Sequence, residues 1–579
     1  MYLKYLTIKN FRAIKETTLN FNKGVNVLIG ANNSGKTAVI DALRLSLGYK
    51  DQKKIYVSKN DFYINSQKNN ENLLPITFDL CFKPNDNSDE LAWFYELYNP
   101  ETDYLELHFK FELKNISGLE RVFTTVWGGK NEGNIIPNEI LHLFTHVYLN
   151  ALRDAQRYLR PGKYSKLGQL FSNANPQYLS EDFDKEDMIS ELKEFLNDSK
   201  INKYIDDVNS QYINNHYSEM TFNDSPNNIE INAFSQDFDD IVNNFEIKLP
   251  FSDPDSNHFF DLSQNGLGYN NLIYISVLLG DLKDLNKFNQ GLYVGLCIEE
   301  PESHLQPQLQ NLFFSYLNTL NEELTNTNGN NQSFQIFITS HSPTLTAKAD
   351  LDSIILLQHH KNNVCNLSLK NSELNREDRI YLHKFLDVTK SQLLFSNKII
   401  FVEGISEALL MPIFAKKLNM NLDKEGVEIV NIGGLGFKHF MPLFSEDSNL
   451  SFKASVITDK DNELNLEPSD TYKNLKNLGN KNCKVFGADV TLEYELLINN
   501  KDNDLVLEIF KSVHSRKIPN FLEGNVDTFK EKFFKIAKCK YLKKSDIAMK
   551  LAIKLSDENN LKIFKLPSYI ENALNFINE

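Results

Sequence analysis

The chain opens on alternation. Residues Tyr2 to Lys9 step between apolar and polar side chains, the period-two pattern of a half-buried strand. Val25-Asn26-Val27-Leu28-Ile29 then reads as a buried strand, and Val39, Ile40, Leu43 and Leu47 recur at helical spacing. The first 48 residues therefore predict strand, turn, strand, loop and helix. From Pro75 to Trp127, short alternating segments such as Tyr104 to Leu113 predict an antiparallel sheet. The pattern changes between 165 and 250, where Asn, Asp and Ser dominate and Met188, Leu192, Phe195 and Leu196 keep helical spacing. That stretch predicts a polar helical insertion, too short for a long coiled-coil arm. Strand–helix alternation returns at Tyr293–Ile298, Gln335–Ile338 and Ser353–Leu357, and a second series runs from Lys398 to about Glu495. The remainder reads as helical and lysine-rich, and the Asn-rich patches near 326–332 and 463–470 read as loops. These shifts divide the chain at 1–164, 165–250, 251–385 and 390–579.

Composition narrows the class. At 579 residues the chain exceeds what one hydrophobic core supports. With 41% hydrophobic and 24% charged residues, it has the make-up of an ordinary globular protein. No apolar run approaches the roughly 18–20 residues that span a bilayer, and the N-terminus lacks a signal-peptide pattern, so a cytoplasmic protein with no membrane partner is expected. The cysteines Cys81, Cys297, Cys365, Cys483 and Cys539 are scattered with no C-x-x-C pair, which argues against a zinc module and a disulfide framework. The net charge of −15 is awkward for a nucleic-acid partner. Charge is local, however: between Lys530 and Lys554 nine lysines stand against two acids. That run is either a solvated helix face or a DNA-facing surface.

Two chemistries follow. Gly30-Ala31-Asn32-Asn33-Ser34-Gly35-Lys36-Thr37 matches G-x-x-x-x-G-K-[ST] between a strand and a helix, the context a phosphate cradle requires. Backbone N–H groups from Gly30 to Gly35, including those of Asn32 and Asn33, would surround the phosphates of ATP. Lys36 would reach the β/γ-phosphates, and Thr37 would offer an oxygen to Mg²⁺. A second apolar strand ends in Glu299-Glu300-Pro301-Glu302. Glu299 is placed to orient the metal shell, although an Asp is more usual there, and Glu300 to polarise water. His341 closes another strand, where it could sense a γ-phosphate.

Farther on, Val402-Glu403-Gly404-Ile405-Ser406-Glu407 leaves a strand and opens a helix, and Ile457-Thr458-Asp459-Lys460-Asp461 leaves another. Carboxylates clustered at strand ends suit Mg²⁺ or Mn²⁺ better than zinc, and such ions allow water to attack a phosphodiester in line. The Gly433-Gly434-Leu435-Gly436 cluster lacks dinucleotide-fingerprint spacing and reads as a tight turn beside the metal site.

These motifs resemble known families. The loop Leu262-Ser263-Gln264-Asn265-Gly266 looks like a degenerate ABC signature. Its order with the P-loop, the acid pair and His341 resembles the ABC-type heads of the RecF, Rad-type and SMC group, as does Asn10-Phe11-Arg12. In that group the signature serine of one head caps ATP bound by another, which for Ser263 implies self-association. The Glu403 and Asp459 motifs resemble a TOPRIM domain. An ABC-type head fused to TOPRIM resembles the OLD (overcoming-lysogenization-defect) endonuclease family, which includes the nuclease subunit of the Gabija anti-phage system.

The resemblance covers essentially the whole chain. It includes Leu394 to Lys398, the Gly433-Gly434 turn and Thr491-Leu492-Glu493, whose acid matches a family metal ligand. Lys543-Lys544-Ser545-Asp546-Ile547-Ala548 resembles the family's K-G-x-x-A segment with Ser for Gly, so either Lys544 or Lys543 would be the catalytic lysine. What the resemblance implies is an α/β chain. It would hold an ABC-type P-loop head with a helical insertion that aids self-association, then a parallel-sheet TOPRIM domain and a helical C-terminal extension. The implied activity is ATP-regulated, two-metal DNA cleavage by Glu403, Glu407, Asp459, Asp461 and Glu493, in a homodimer or homotetramer, with a helicase or a retron nucleic acid as further partners. A RecF-like DNA-binding protein that no longer cuts and an RNA-processing nuclease stay open as alternatives.

Overall fold

The computed structural model describes all residues except 50–54, 65–72, 86–87, 151–154, 163–164, 174–185, 192–209, 211–237, 251–258, 289–292, 327–332, 361, 387–389, 397, 435, 446–452, 461–466 and 514–542. Two large sheets, with a small antiparallel pair of β10 (Lys248–Pro250) and β11 (Phe259–Asp261), build the N-terminal half. The first is antiparallel and runs β2 (Ile14–Asn20), β1 (Tyr2–Phe11), β5 (Ile76–Lys83), β7 (Tyr104–Ile116), β6 (Tyr98–Asn99), with β8 (Leu119–Gly128) pairing β7. The opening alternation holds with one interruption. Leu3 and Leu6 are both buried although three apart, because the register against β5 shifts between Leu3 and Tyr5.

The second sheet is seven-stranded. Its order is β15 (Asn363–Ser368), β14 (Ile354–His360), β3 (Val25–Ile29), β13 (Ser333–Ser340), β12 (Tyr293–Glu299), β9 (Phe144–Leu149), β4 (Gly48–Tyr49). All pairs are parallel except β14 with β15. Every residue of β12 is buried, which is why its sequence is one apolar run and not an alternation. Cys297 lies in that strand as a small core residue. The P-loop helix Lys36–Ser46 shares one core with the first sheet through Val39, Ile40, Leu43, Phe78 and Leu80.

Of the 165–250 insertion, helices Lys166–Asn173 and Phe238–Val242 are described and pack together, the first also against the long helix Leu267–Phe288. Most of that insertion lies outside the described residues, as do Cys539, Leu435 and the part of the lysine-rich run before Lys543. Among the described residues, no helix is long and apolar enough to cross a membrane.

A third sheet follows, entirely parallel: β17 (Val427–Asn431), β16 (Lys398–Val402), β18 (Lys453–Asp459), β19 (Cys483–Ala488). From β16 the chain turns to one side for β17, then returns past it for β18 and β19. The loops after β16 and β18 therefore diverge and open a crevice at the strands' carboxyl ends. Helices Ile405–Lys417, Lys544–Leu555 and Ser568–Asn578 pack around this sheet with a core of their own.

The two halves are joined by packing as well as by chain. One core runs from Val27 and Ile338 through Leu345, Leu382 and Leu393 to Phe401 and Val456. Ser391 Oγ, just ahead of β16, donates to Pro343 O, two residues past His341, at 2.9 Å. Helix Arg376–Phe385 meets the turn after Gly434: Asp378 Oδ1 lies 2.7 Å from His439 Nδ1, and Tyr381 stacks on His439 with centroids 4.2 Å apart. A Cβ placed on Gly436 would stand 2.1 Å from Tyr381 Oη. That ring is stacked on both His439 and Phe385, so moving it aside gives up those contacts. Gly436→Ala is therefore expected to destabilise the protein by about 1–3 kcal/mol, as overpacking does elsewhere. In a Tyr381→Ala background the same change should cost much less. Thermal melts of the four proteins in the cycle measure this, and equal losses in both backgrounds would remove the clash as the cause.

Candidate nucleotide and metal sites

The P-loop is shaped by close approaches. Gly30 has φ +153°, and a Cβ there would lie 2.2 Å from Leu357 O. Gly35 has φ +99° and caps the helix that begins at Lys36, while Asn33 between them also takes a positive φ of 60°. These turns curl the backbone of Asn32 to Gly35 around the helix N-terminus, where anions are favoured. Lys36 is folded back into the loop, with Nζ donating to Gly30 O at 2.8 Å and Ala31 O at 2.9 Å. Burial lowers its pKa to about 8 against the opposing pull of Glu300, Glu302 and Glu299.

Strand order brings the distant acids here, since β3 lies beside β13 and β13 beside β12. Glu299 ends β12, is raised in pKa chiefly by burial, and takes hydrogen bonds from Tyr148 Oη at 2.7 Å and from Thr37. Glu300 follows with a positive φ of 43°, and its Oε1 lies 3.4 Å from His341 Nε2. The opposite ring nitrogen, Nδ1, is 3.5 Å from Lys36 Nζ. Burial, and then Lys36, hold His341 below its ordinary pKa, favouring the neutral ring. Gly30, Gly35, Lys36, Thr37, Glu299, Glu300 and His341 are thus brought together.

Ser263 stands apart. It is exposed in the short turn Leu262–Gln264, fixed by Asn270 Nδ2 donating to Leu262 O at 2.6 Å, and among the described residues no hydrogen bond ties it to the P-loop.

The sequence reading passed over several supporting residues. Glu302 Oε1 accepts from Ser340 Oγ at 3.0 Å and from the His341 backbone N–H at 2.6 Å, so it sets the strand end that carries the histidine. Its place as a third acid after β12 was a usable signal. Tyr148, Arg44 and Asp41 gave none. Arg44 lies 3.5 Å over the Tyr148 ring and pairs with Asp41, which also pairs with Arg12 of the Asn10-Phe11-Arg12 segment.

The second site occupies the crevice of the all-parallel sheet, a cleft of about 560 Å³ lined in part by Glu403, Glu407, Gly434, Asp459 and Lys544. Glu403 leaves β16 with Oε2 accepting from Thr458 Oγ1 at 3.0 Å and from Asp459 N at 3.4 Å. Thr458 is a further residue that the sequence reading did not single out. Glu407 sits one helical turn on, its pKa raised by burial and then by Glu493 and Glu403. Asp459 ends β18 and is raised well above the carboxylate range by burial and then by Glu403. Glu493 lies in the first turn of the Thr491-capped helix Leu492–Asn499; it is 2% exposed, and among the described residues its oxygens face Lys544 as their cationic partner.

Lys544 begins its helix with Nζ 3.4 Å from Glu493 Oε2 and 4.0 Å from Asp459 Oδ2. Burial pulls its pKa down, but Glu493, Asp459 and Glu407 outweigh that and hold it charged. Lys543 pairs with Asp546 at 3.8 Å at the mouth of the cleft, and Lys544 is the lysine that stands beside Glu493 and Asp459. Asp461 lies outside the described residues.

The residues present fit a divalent cation. Three carboxylates, Glu493, Asp459 and Glu407, act on one ammonium, Glu403 lies beside Asp459, and among the described residues Glu493 offers two buried oxygens answered chiefly by that ammonium. Such a group costs free energy until a cation answers it. Among the described residues no three acid, His or Cys groups are yet drawn close enough to hold an ion. Lys544 Nζ stands within 4.0 Å of both Glu493 and Asp459.

Comparison with known proteins follows the same division. A family model described as AAA ATPase domain matches residues 1–117 and 94–346, and one described as overcoming lysogenization defect protein-like, TOPRIM domain, matches 394–461. The whole chain is 24% identical to "Endonuclease GajA" of Bacillus cereus (strain HuB5-5), covering 99% of that protein. It is 25% identical to the "Old nuclease" of Escherichia phage P2, covering 89% of this chain and 86% of that one. The solved C-terminal region of the Burkholderia pseudomallei OLD protein is 24% identical, with 32% of this chain and 98% of that one covered at a TM-score of 0.23. An ATPase domain and a TOPRIM domain together imply use of a nucleotide and of a divalent metal.

The buried acids carry a pH signature. Asp459 and Glu407 are raised in the folded state, so the fold holds their protons more tightly than the unfolded chain does. Their contribution to stability is complete below about pH 4 and is lost as pH rises through their raised folded values. Metal-free protein should therefore lose thermal stability over that rise, and Asp459→Asn should flatten the loss. Melting curves across pH in a chelator test this; superimposable profiles for the two proteins would clear Asp459 of the effect.

Proposed function

This chain belongs to the AAA ATPase domain family, whose model matches residues 1–117 and 94–346, and from that premise and its similarity to the OLD nucleases we propose that it is an ATP-regulated, metal-dependent DNA endonuclease of anti-phage defence. The observation that carries the reading is the crevice at the ends of β16 and β18, where Glu407, Asp459 and Glu493 face Lys544 and Glu403 lies beside Asp459. In this reading those four acids, with Asp461, hold Mg²⁺ or Mn²⁺. Such ions supply Lewis acidity and a nucleophilic water at neutral pH.

The chain's own residues do the remainder. Thr458 and the Asp459 N–H orient Glu403, burial keeps the carboxylates from being solvated individually, and Lys544 offers an ammonium to charge developing on the scissile phosphate. A RecF-like protein that only binds DNA fits less well, because it has no use for buried acids without donors.

ATP would bind between Lys36, Thr37 and the Glu299–Glu300 pair, with His341 beside the γ-phosphate and Ser263 capping the nucleotide of a second copy in a homodimer or homotetramer. Regulation is supported by contiguity. The strand end that carries His341 runs into Pro343, which Ser391 grips just before β16, and the shared core continues to Phe401. A change at the γ-phosphate position therefore has packed atoms to act through on the way to Glu403.

Supercoiled plasmid incubated with Mg²⁺ or Mn²⁺ tests the reading. Wild-type protein should nick or linearise it, Asp459→Ala should lose at least about a hundredfold in rate, and Lys36→Ala should abolish the response to ATP while leaving the metal-dependent cut. Plasmid left intact under every metal condition would overturn the nuclease assignment, and cutting unchanged in Asp459→Ala would put the activity elsewhere.

A further inference from the structure

We propose that Lys544 is the resident counter-cation of the metal-free cleft and competes with the divalent ion for the Glu493 and Asp459 carboxylates, so that ion binding expels it toward the scissile phosphate. The inference rests on the nuclease reading and adds an order of events to it. The ammonium stands 3.4 Å from Glu493 Oε2 and 4.0 Å from Asp459 Oδ2, between two groups that would otherwise face one another as like charges. Glu493 is 2% exposed, and among the described residues Lys544 is the cation that answers its charge. The pairing is held at ion-pair range, longer than a good charge-assisted hydrogen bond.

A divalent ion would approach the same oxygens to about 2.1 Å with twice the charge, which an ammonium cannot match. Both cations draw on the same two carboxylates, so a bound ion takes up the charge that holds the ammonium in place. The lysine also has a way out. Its side chain is 46% exposed at the first residue of its helix, and its neighbours Lys543, Ser545 and Asp546 line the mouth of the cleft. Once displaced, the ammonium stays on its four-carbon stem at the entrance, where a phosphate would lie. One side chain thus keeps the empty site neutralised and is delivered to the substrate only when the ion is in place.

The consequence is an opposition of signs. Lys544→Met, which keeps the stem and removes the charge, should bind Mn²⁺ about tenfold more tightly in calorimetry without DNA, while cutting plasmid far more slowly. Lys544→Arg should bind Mn²⁺ about as wild type does. Expulsion is read separately by amine-reactive labelling and mass spectrometry: Mg²⁺ should raise modification of Lys544 severalfold while exposed Lys543, its neighbour, stays unchanged. Weaker or equal Mn²⁺ binding by Lys544→Met would overturn the competition, and Lys544 labelling that is unchanged or reduced by Mg²⁺ would overturn the expulsion. Wild-type protein whose Mn²⁺ binding is insensitive to Asp459→Ala would instead refute the metal site, and the nuclease reading with it.

Discussion

Carboxylates held at the ends of buried parallel strands dominate the chemistry of this molecule. Such a position removes water from the acid without supplying a partner, so each group must be answered by a cation, a donor or a retained proton. The chain meets this constraint twice. In the head, Glu299 takes Tyr148 and Thr37, Glu302 takes the His341 N–H, and Lys36 turns inward among them. In the nuclease cleft, Glu403 takes Thr458, whereas Asp459 and Glu493 have Lys544 between them. The two sites are variants of one solution, a lysine folded among acids that outnumber it.

The sites are also mechanically related. In the head, Ser342 Oγ donates to Gln310 Oε1 at 2.7 Å, and Gln310 Nε2 donates to Leu305 O at 2.8 Å. The adjoining His304 carbonyl lies 2.5 Å from where a Cβ on Gly268 would be, so the helix after the Ser263 turn packs directly against that segment. The surroundings of His341 therefore reach both the helix that follows the turn expected to meet another copy and, through Pro343 and Ser391, the segment leading into the strand that ends at Glu403. Packed interiors transmit such displacements because they have few alternative arrangements.

Much of this was legible before any coordinate. Val25–Ile29 is a strand over the expected residues, the Pro75–Trp127 region is antiparallel, and Glu403, Glu407, Asp459, Glu493 and Lys544 meet in one cleft. Local pattern sufficed there, because a buried strand, a glycine-bound loop and an acid at a strand end each leave a short-range mark. Tyr148, Arg44, Gln310 and Thr458 were not legible, since an aromatic or polar residue in a strand or helix looks the same whether or not a distant acid needs it. Ile354 starting a strand after the turn Leu351–Ser353, and Asp470 opening a helix where a loop was expected, are the ordinary one- or few-residue errors of boundary reading.

By itself the sequence determined the two chemistries and their order, because a phosphate cradle and strand-end carboxylates are specified by residue type within short windows. Tertiary structure alone decided which groups pair. Strand order puts β12 two places from β3, and the return of the chain past β16 opens the crevice between Glu403 and Asp459. It also puts Lys544, the first residue of its helix, within 4.0 Å of both Glu493 and Asp459. Charge on a chain is a local property, but its compensation depends on what folding brings within a few ångströms.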